Sequence, residues 1–130
     1  MMLPWEVLVI SSDIESRRAL VTILSRHGLD PICSSTIDES RNILAKERVG
    51  LVYCDRDLAD GSYRDLLSAS DHTNSKVRVV VTYRRTNWDE NLEAMRLGAF
   101  DSIAAPCMEH DVEWTLLQAS RDAQRISRGL

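Results

Sequence analysis

The chain has 130 residues, 44% hydrophobic and 28% charged, with a formal net charge of −4. That length holds one full hydrophobic core and is short for two, so a single domain over residues 1–130 is expected. The acidic balance, with no basic cluster denser than Arg84-Arg85, excludes a typical nucleic-acid binder, and no apolar run reaches the length of a membrane span.

Apolar runs and helical periods alternate along the chain. Val7-Leu8-Val9-Ile10 reads as a first buried strand, stopped by Ser11-Ser12-Asp13. A helix follows with Ala19, Leu20, Ile23, Leu24 and His27 on one face, and Gly28 is its stop signal. Pro31 to Ser34 is a weak second strand. Thr36 with Glu39 three residues on is a capping box, opening a helix that turns Ile37, Ser40 and Leu44 inward. Leu51-Val52-Tyr53-Cys54 is the third strand and stops on Asp55; Asp60-Gly61-Ser62 is a turn, and Tyr63, Leu66 and Leu67 belong to a short helix.

Val77 to Thr82 is β-branched almost throughout, as suits a fourth strand covered on both faces. Trp88, Leu92 and Met95 recur at helical spacing and end at Gly98. Ser102 to Ala105 is a short fifth strand before Pro106, and Val112, Leu116 and Ala119 mark the last helix. Five strands alternating with five helices predict a doubly wound (βα)5 α/β sandwich around a five-stranded parallel sheet with right-handed crossovers. The cysteines, Cys33, Cys54 and Cys107, lack metal-ligand spacing and are odd in number, so reduced thiols and a cytoplasmic protein are expected.

In open α/β sheets the functional crevice lies outside the carboxyl ends of the strands. Ser11, Ser12, Asp13, Asp55 and Thr82 should meet there, with Ala105-Pro106 close by. The ordered set Val7 to Ile10, Asp55-Arg-Asp-Leu-Ala-Asp-Gly-Ser62, Val79-Val-Val-Thr82 and Gly98-Ala-Phe-Asp101 before Ala105-Pro106 resembles the response-regulator receiver domain of two-component signalling. The resemblance covers residues 6–122, with about one extra residue after Thr82, and implies the flavodoxin-like strand order 2-1-3-4-5.

The resemblance implies that Asp55 accepts a phosphoryl group from a histidine kinase or phosphotransfer protein and that Thr82 hydrogen-bonds it. It also implies Mg²⁺ held by Asp55, by the backbone carbonyl of Asp57 and by an acidic pair after the first strand, and a cis bond before Pro106. The chain departs from that pattern at four places. Ser11 and Ser12 stand where the acidic pair belongs, Ala105 stands for a lysine, and Ser102 for an aromatic switch residue. Asp13 could enter only by a one-residue register shift, which would turn a buried strand inside out; it is a weak third ligand. Mg²⁺ ordinarily keeps several waters and one or two carboxylates, so weak binding or none is expected. Arg56 and Arg84 are the nearby cations, and nothing in the sequence fixes either one at the site.

Three functions follow in descending order. The first is a receiver-like module of the phosphorelay, not an enzyme, acting on an output protein by contact because no output domain follows in the sequence. The second is a phosphorylation-independent pseudo-receiver that serves as an interaction module. The third, more remote, is a haloacid-dehalogenase-type phosphatase using Asp55 and Asp57 as nucleophile and general acid. Trp114 lies off the Val112/Leu116/Ala119 stripe, on the side of Leu117, and these two with Trp88 are candidates for an interface, such as a homodimer through the fourth helix, fifth strand and last helix.

Overall fold

The longest apolar runs become the inner strands of one sheet. The computed structural model describes residues 3–70, 77–84 and 88–127, so Arg85 and His72 lie outside the described residues. Strands β1 (Glu6–Ile10), β2 (Ile32–Ser34), β3 (Val49–Asp55), β4 (Arg78–Arg84) and β5 (Asp101–Ala105) alternate with helices α1 (Ile14–Arg26), α2 (Ile37–Lys46), α3 (Tyr63–Ser70), α4 (Asp89–Arg96) and α5 (Glu109–Ser127). Every pairing in this sheet is parallel, in the order β2-β1-β3-β4-β5, which is the flavodoxin-like order expected. Winding reverses between β1 and β3, so a crevice opens at their carboxyl ends.

Alternation along β1, β3 and β4 builds two cores. Val7, Val9, Leu51, Tyr53 and Val80 face α1 and α5. Leu8, Ile10, Val52, Cys54, Val79 and Val81 face α2, α3 and α4. Cys54 is fully buried and burial pushes its thiol well above the usual range, Cys33 and Cys107 are half-buried, and none of the three is in a disulfide. Gly28 follows the end of α1 at φ 78°, a left-handed conformation that side-chain-bearing residues rarely adopt, and its N–H returns to the Ser25 carbonyl at 3.0 Å.

Three local features differ from the sequence reading. At α2, Thr36 Oγ1 accepts from the Glu39 N–H at 3.1 Å, but the Glu39 carboxylate takes the N–H of Ser35 rather than that of Thr36. Asp60 adds a second cap by accepting from the N–H groups of Ile37 and Asp38 at 2.8 and 2.9 Å, which lowers its pKa. The segment around Asp60-Gly61 is a small antiparallel hairpin, Asp57–Leu58 against Gly61–Ser62, which the sequence suggested only as a turn. The helical stripe of α4 points outward: Trp88, Leu92 and Met95 are 60, 53 and 44% exposed, and the short helix meets the sheet through fully buried Ala94.

α5 keeps Val112, Leu116 and Ala119 inside and turns Trp114 and Leu117 outward. Its buried Thr115 hydroxyl lies 2.6 Å from the Tyr53 hydroxyl and donates to the Val112 carbonyl at 2.8 Å, tying α5 to β3. At the opposite pole from the crevice, buried Arg78 donates through Nε to Asp122 at 2.6 Å and through Nη1 to the Gly50 carbonyl at 3.3 Å. Its guanidinium lies 5.5 Å from the Trp5 ring centroid. The Trp5 ring packs so closely over Gly50 that a Cβ there would lie 2.2 Å from it.

Candidate functional site

Strand register assembles the site. Ile10 pairs with Cys54 and Asp55 pairs with Thr82, so the residue after β1 and the ends of β3 and β4 lie side by side. The Ser11 hydroxyl donates to Asp55 Oδ2 at 2.8 Å, and the Ser12 N–H reaches the same oxygen at 3.3 Å. Thr82 Oγ1 donates to Asp55 Oδ1 at 2.9 Å. Both carboxylate oxygens are therefore held by neutral donors from the flanking strands.

The other predicted residues stand further out. Asp13 is exposed and accepts from the Ser16 hydroxyl at 2.6 Å, a bond that lowers its pKa with help from the positive charge of Arg84. Asp57 is exposed and ion-paired with Arg56 at 2.7 Å; the same guanidinium lies 3.5 Å from Glu90. Ala105 ends β5, and its bond to Pro106 is cis. Ser102 alternates with Ile103 onto the α4 side of β5, where its hydroxyl is buried without a hydrogen-bond partner among the described residues. Trp88, Trp114 and Leu117 lie away from this site, on the outer surfaces of α4 and α5.

One participant gave no sequence signal. Arg17 of α1 donates through Nη2 to the carbonyls of Ser11 and Ser34, the latter at 3.0 Å, clamping the ends of β1 and β2. Helical periodicity places Arg17 on α1, but which carbonyls a long side chain finds depends on the crossover geometry.

Above Asp55 opens a cleft of about 560 Å³ whose walls include Ser12, Asp13, Arg56, Thr82, Arg84 and Ala105. Burial raises the pKa of Asp55 above the usual 3.8, and the Ser11, Thr82 and Ser12 hydrogen bonds offset only part of that rise. A folded-state pKa above the unfolded value means that the native protein binds the proton more tightly. Protonating Asp55 therefore adds stability, fully present below 3.8 and lost as pH rises through the higher folded value. In parallel urea titrations, the wild-type protein should gain stability relative to Asp55→Asn as pH falls from 7, and the gain should level off below 3.8. The depressed groups Asp13, Asp60 and Asp122 act in the opposite direction but are common to both proteins. A flat difference across the range would remove Asp55 as the titrating group.

The donor set does not fit a magnesium ion. Mg²⁺ demands near-octahedral oxygen ligation from carboxylates and waters, whereas both Asp55 oxygens already accept hydroxyl or amide donors, Asp13 is engaged by Ser16, and Ser11 and Ser12 bring no second carboxylate beside Asp55. Among the described residues no group of three or more His, Cys, Asp or Glu converges to hold a metal.

No family model matches the chain. A curated sequence, response regulator protein PilR of Pseudomonas aeruginosa, is 28% identical over 101 residues, which is 78% of this chain and 23% of that protein. The chain thus spans about a quarter of the length of the curated relative it matches. Among solved structures, the receiver domain of NtrX from Brucella abortus superposes with a TM-score of 0.78 at 22% identity, covering 89% of this chain and 98% of that one. A CheY-like response regulator receiver domain protein from Methanospirillum hungatei gives 0.79 at 16% identity, covering 93% and 97%. The beryllofluoride-activated NtrC4 receiver domain dimer gives 0.80 at 19% identity, covering 90% and 97%.

Proposed function

We infer, from the premise that this chain is a receiver domain of the response-regulator kind, that it serves two-component signalling with Asp55 as its phosphoacceptor position. One observation carries this reading: Asp55 ends β3 at the floor of an open cleft, with the Thr82 hydroxyl 2.9 Å from its carboxylate on the neighbouring strand. A rotatable hydroxyl there can exchange a carboxylate oxygen for a phosphoryl oxygen. The donor would be the phosphohistidine of a kinase or phosphotransfer protein, and Mg²⁺ would contribute weakly or not at all. The module works by contact with an output protein rather than by turnover. Among the described residues no helix is long and apolar enough to cross a membrane, which suits a place in the cytoplasm.

Incubation with acetyl phosphate, with and without Mg²⁺, read by intact mass, tests the assignment. A gain of one phosphoryl group, absent in Asp55→Asn and little changed by Mg²⁺, is expected. The second reading, a phosphorylation-independent module, is favoured by the neutral donors that both Asp55 oxygens already accept; no mass gain with donor under either condition would select it. The phosphatase reading has the least support, because Asp57 is exposed and paired with Arg56 rather than directed at Asp55. Turnover of a phosphate ester that disappears in Asp57→Asn would restore it.

The outward apolar residues support an interface on the α4–β5–α5 side. Trp114 is 55% exposed and Leu117 38%, and Trp88 lies at the start of α4. The occupant we propose is a second copy of the chain. Trp114→Ala should shift sedimentation toward the monomer without loss of helicity; self-association identical to wild type would sink this proposal.

A further inference from the structure

We propose that Arg84 is the cation that receives a phosphoryl group at Asp55, an inference that rests on the reading of Asp55 as the acceptor position. Charged side chains lining the cleft are Asp13, Asp55, Arg56, Asp57, Arg84 and Glu90. Four are acidic, so an arriving phosphate meets repulsion from several sides. Arg56 is committed: it is ion-paired with Asp57 at 2.7 Å and lies 3.5 Å from Glu90. Arg84 forms no ion pair or side-chain hydrogen bond among the described residues, and its guanidinium is exposed at the cleft.

Strand geometry puts Arg84 in the right place. It lies two residues beyond Thr82 on β4, and alternate residues of a strand share a face. Thr82 turns its hydroxyl to Asp55, so Arg84 projects from the same face one pleat closer to solvent. Arg84 is also the register partner of Ala105 on β5. The methyl of Ala105 leaves room beside the strand end, and the adjacent strand supplies a long cation there. Guanidinium binds phosphate oxygens in a planar, two-pronged manner that suits such a role.

The step is balanced without a further reactant. A carboxylate oxygen of Asp55 bonds to phosphorus as the phosphorus–oxygen bond of acetyl phosphate breaks, and acetate leaves with the electron pair. The acetyl phosphate dianion and the Asp55 anion become an aspartyl phosphate of about −2 charge plus acetate. The site gains one net negative charge, and Arg84 supplies one positive charge against it, which Ser11 and Thr82, as neutral donors, cannot.

Binding and transfer can be separated. Asp55→Asn keeps the side-chain shape and removes the acceptor charge, so inorganic phosphate can be titrated into it and followed by the amide resonances of Ser12, Thr82 and Arg84. Saturable shifts are expected, weakened about tenfold or more in Asp55→Asn/Arg84→Ala, as for loss of a hydrogen bond between charged groups. Arg84→Lys should keep part of the affinity, and Arg18→Ala, exposed on α1, should keep all of it. Absence of binding in Asp55→Asn, or equal binding with and without Arg84, overturns the role of Arg84. Intact mass after acetyl phosphate treatment of the otherwise wild-type chain decides the acceptor reading separately. Transfer to Asp55 at an unchanged rate in Arg84→Ala would leave that reading standing and remove this one.

Discussion

Arg78→Ala is expected to lower the unfolding free energy by about 3 kcal/mol, in the range for removing one partner of a buried ion pair. The residue starts β4 and is 8% exposed, so its charge is tolerated only because every neighbour answers it. Asp122 accepts from Nε, the Gly50 carbonyl from Nη1, and the Trp5 ring covers the guanidinium. Truncation leaves Asp122 with Arg125 alone at 2.7 Å and opens a void beneath Trp5. Burial raises the pKa of Asp122, but the two arginines outweigh it and hold it below 3.8. Its ion-pair stability is thus present above 3.8 and lost as pH falls through the lower folded value. Urea unfolding should therefore show the Arg78→Ala deficit at neutral pH and a smaller deficit in acid. A deficit below ~1 kcal/mol at neutral pH would show that the pole tolerates loss of the cation by relaxing into solvent, as exposed pairs do.

Ser11→Asp should destabilise the protein by about 3 kcal/mol at neutral pH without divalent cations, the scale for an uncompensated buried charge. Ser11 is 3% exposed and its hydroxyl sits 2.8 Å from an Asp55 oxygen. A carboxylate there faces Asp55 as a like charge in a poorly solvated site, and one of the two must protonate or the strand ends must separate. Millimolar Mg²⁺ should recover most of the loss, because two adjacent carboxylates now offer a cation the oxygen ligands that the wild-type site lacks. The wild-type melting temperature should be unmoved by the same addition. Equal Mg²⁺ responses in the two proteins would mean that Ser11 is not what keeps the metal out.

The inner strands were legible because their apolar runs are covered on both faces: Leu51 to Cys54 and Val79 to Val81 leave no polar alternative. The α4 stripe shows the limit of periodicity. Trp88, Leu92 and Met95 share a helical face, yet spacing alone does not say whether that face meets the sheet, and here Ala94 does. Asp55, Thr82 and the serines at the end of β1 could be brought together from strand ends alone, since parallel strands bring their termini level. The side-chain partners could not: Arg17, Arg56, Arg78 and Asp60 reach atoms 17 residues or more away in the sequence, or choose among neighbours, according to distances that only the packed crossovers set. That is also why the sequence left Arg56 and Arg84 equivalent as candidate cations while the fold separates them.

The hydroxyl clasp on Asp55 has a consequence for how the chain acquires its function. Ser11 and Thr82 lie 44 and 27 residues from Asp55, and each hydrogen bond closes a loop containing at least one complete crossover helix. No fragment lacking β1, β3 or β4 can form it, and a one-residue slip of any of these strands turns its side chain to the opposite face. Because such non-local contacts are rewarded only after the loop entropy has been spent, the clasp belongs to the late stage of folding. Its formation would report that three strands have docked in register, so a nascent or partly unfolded chain would have no competent site to present.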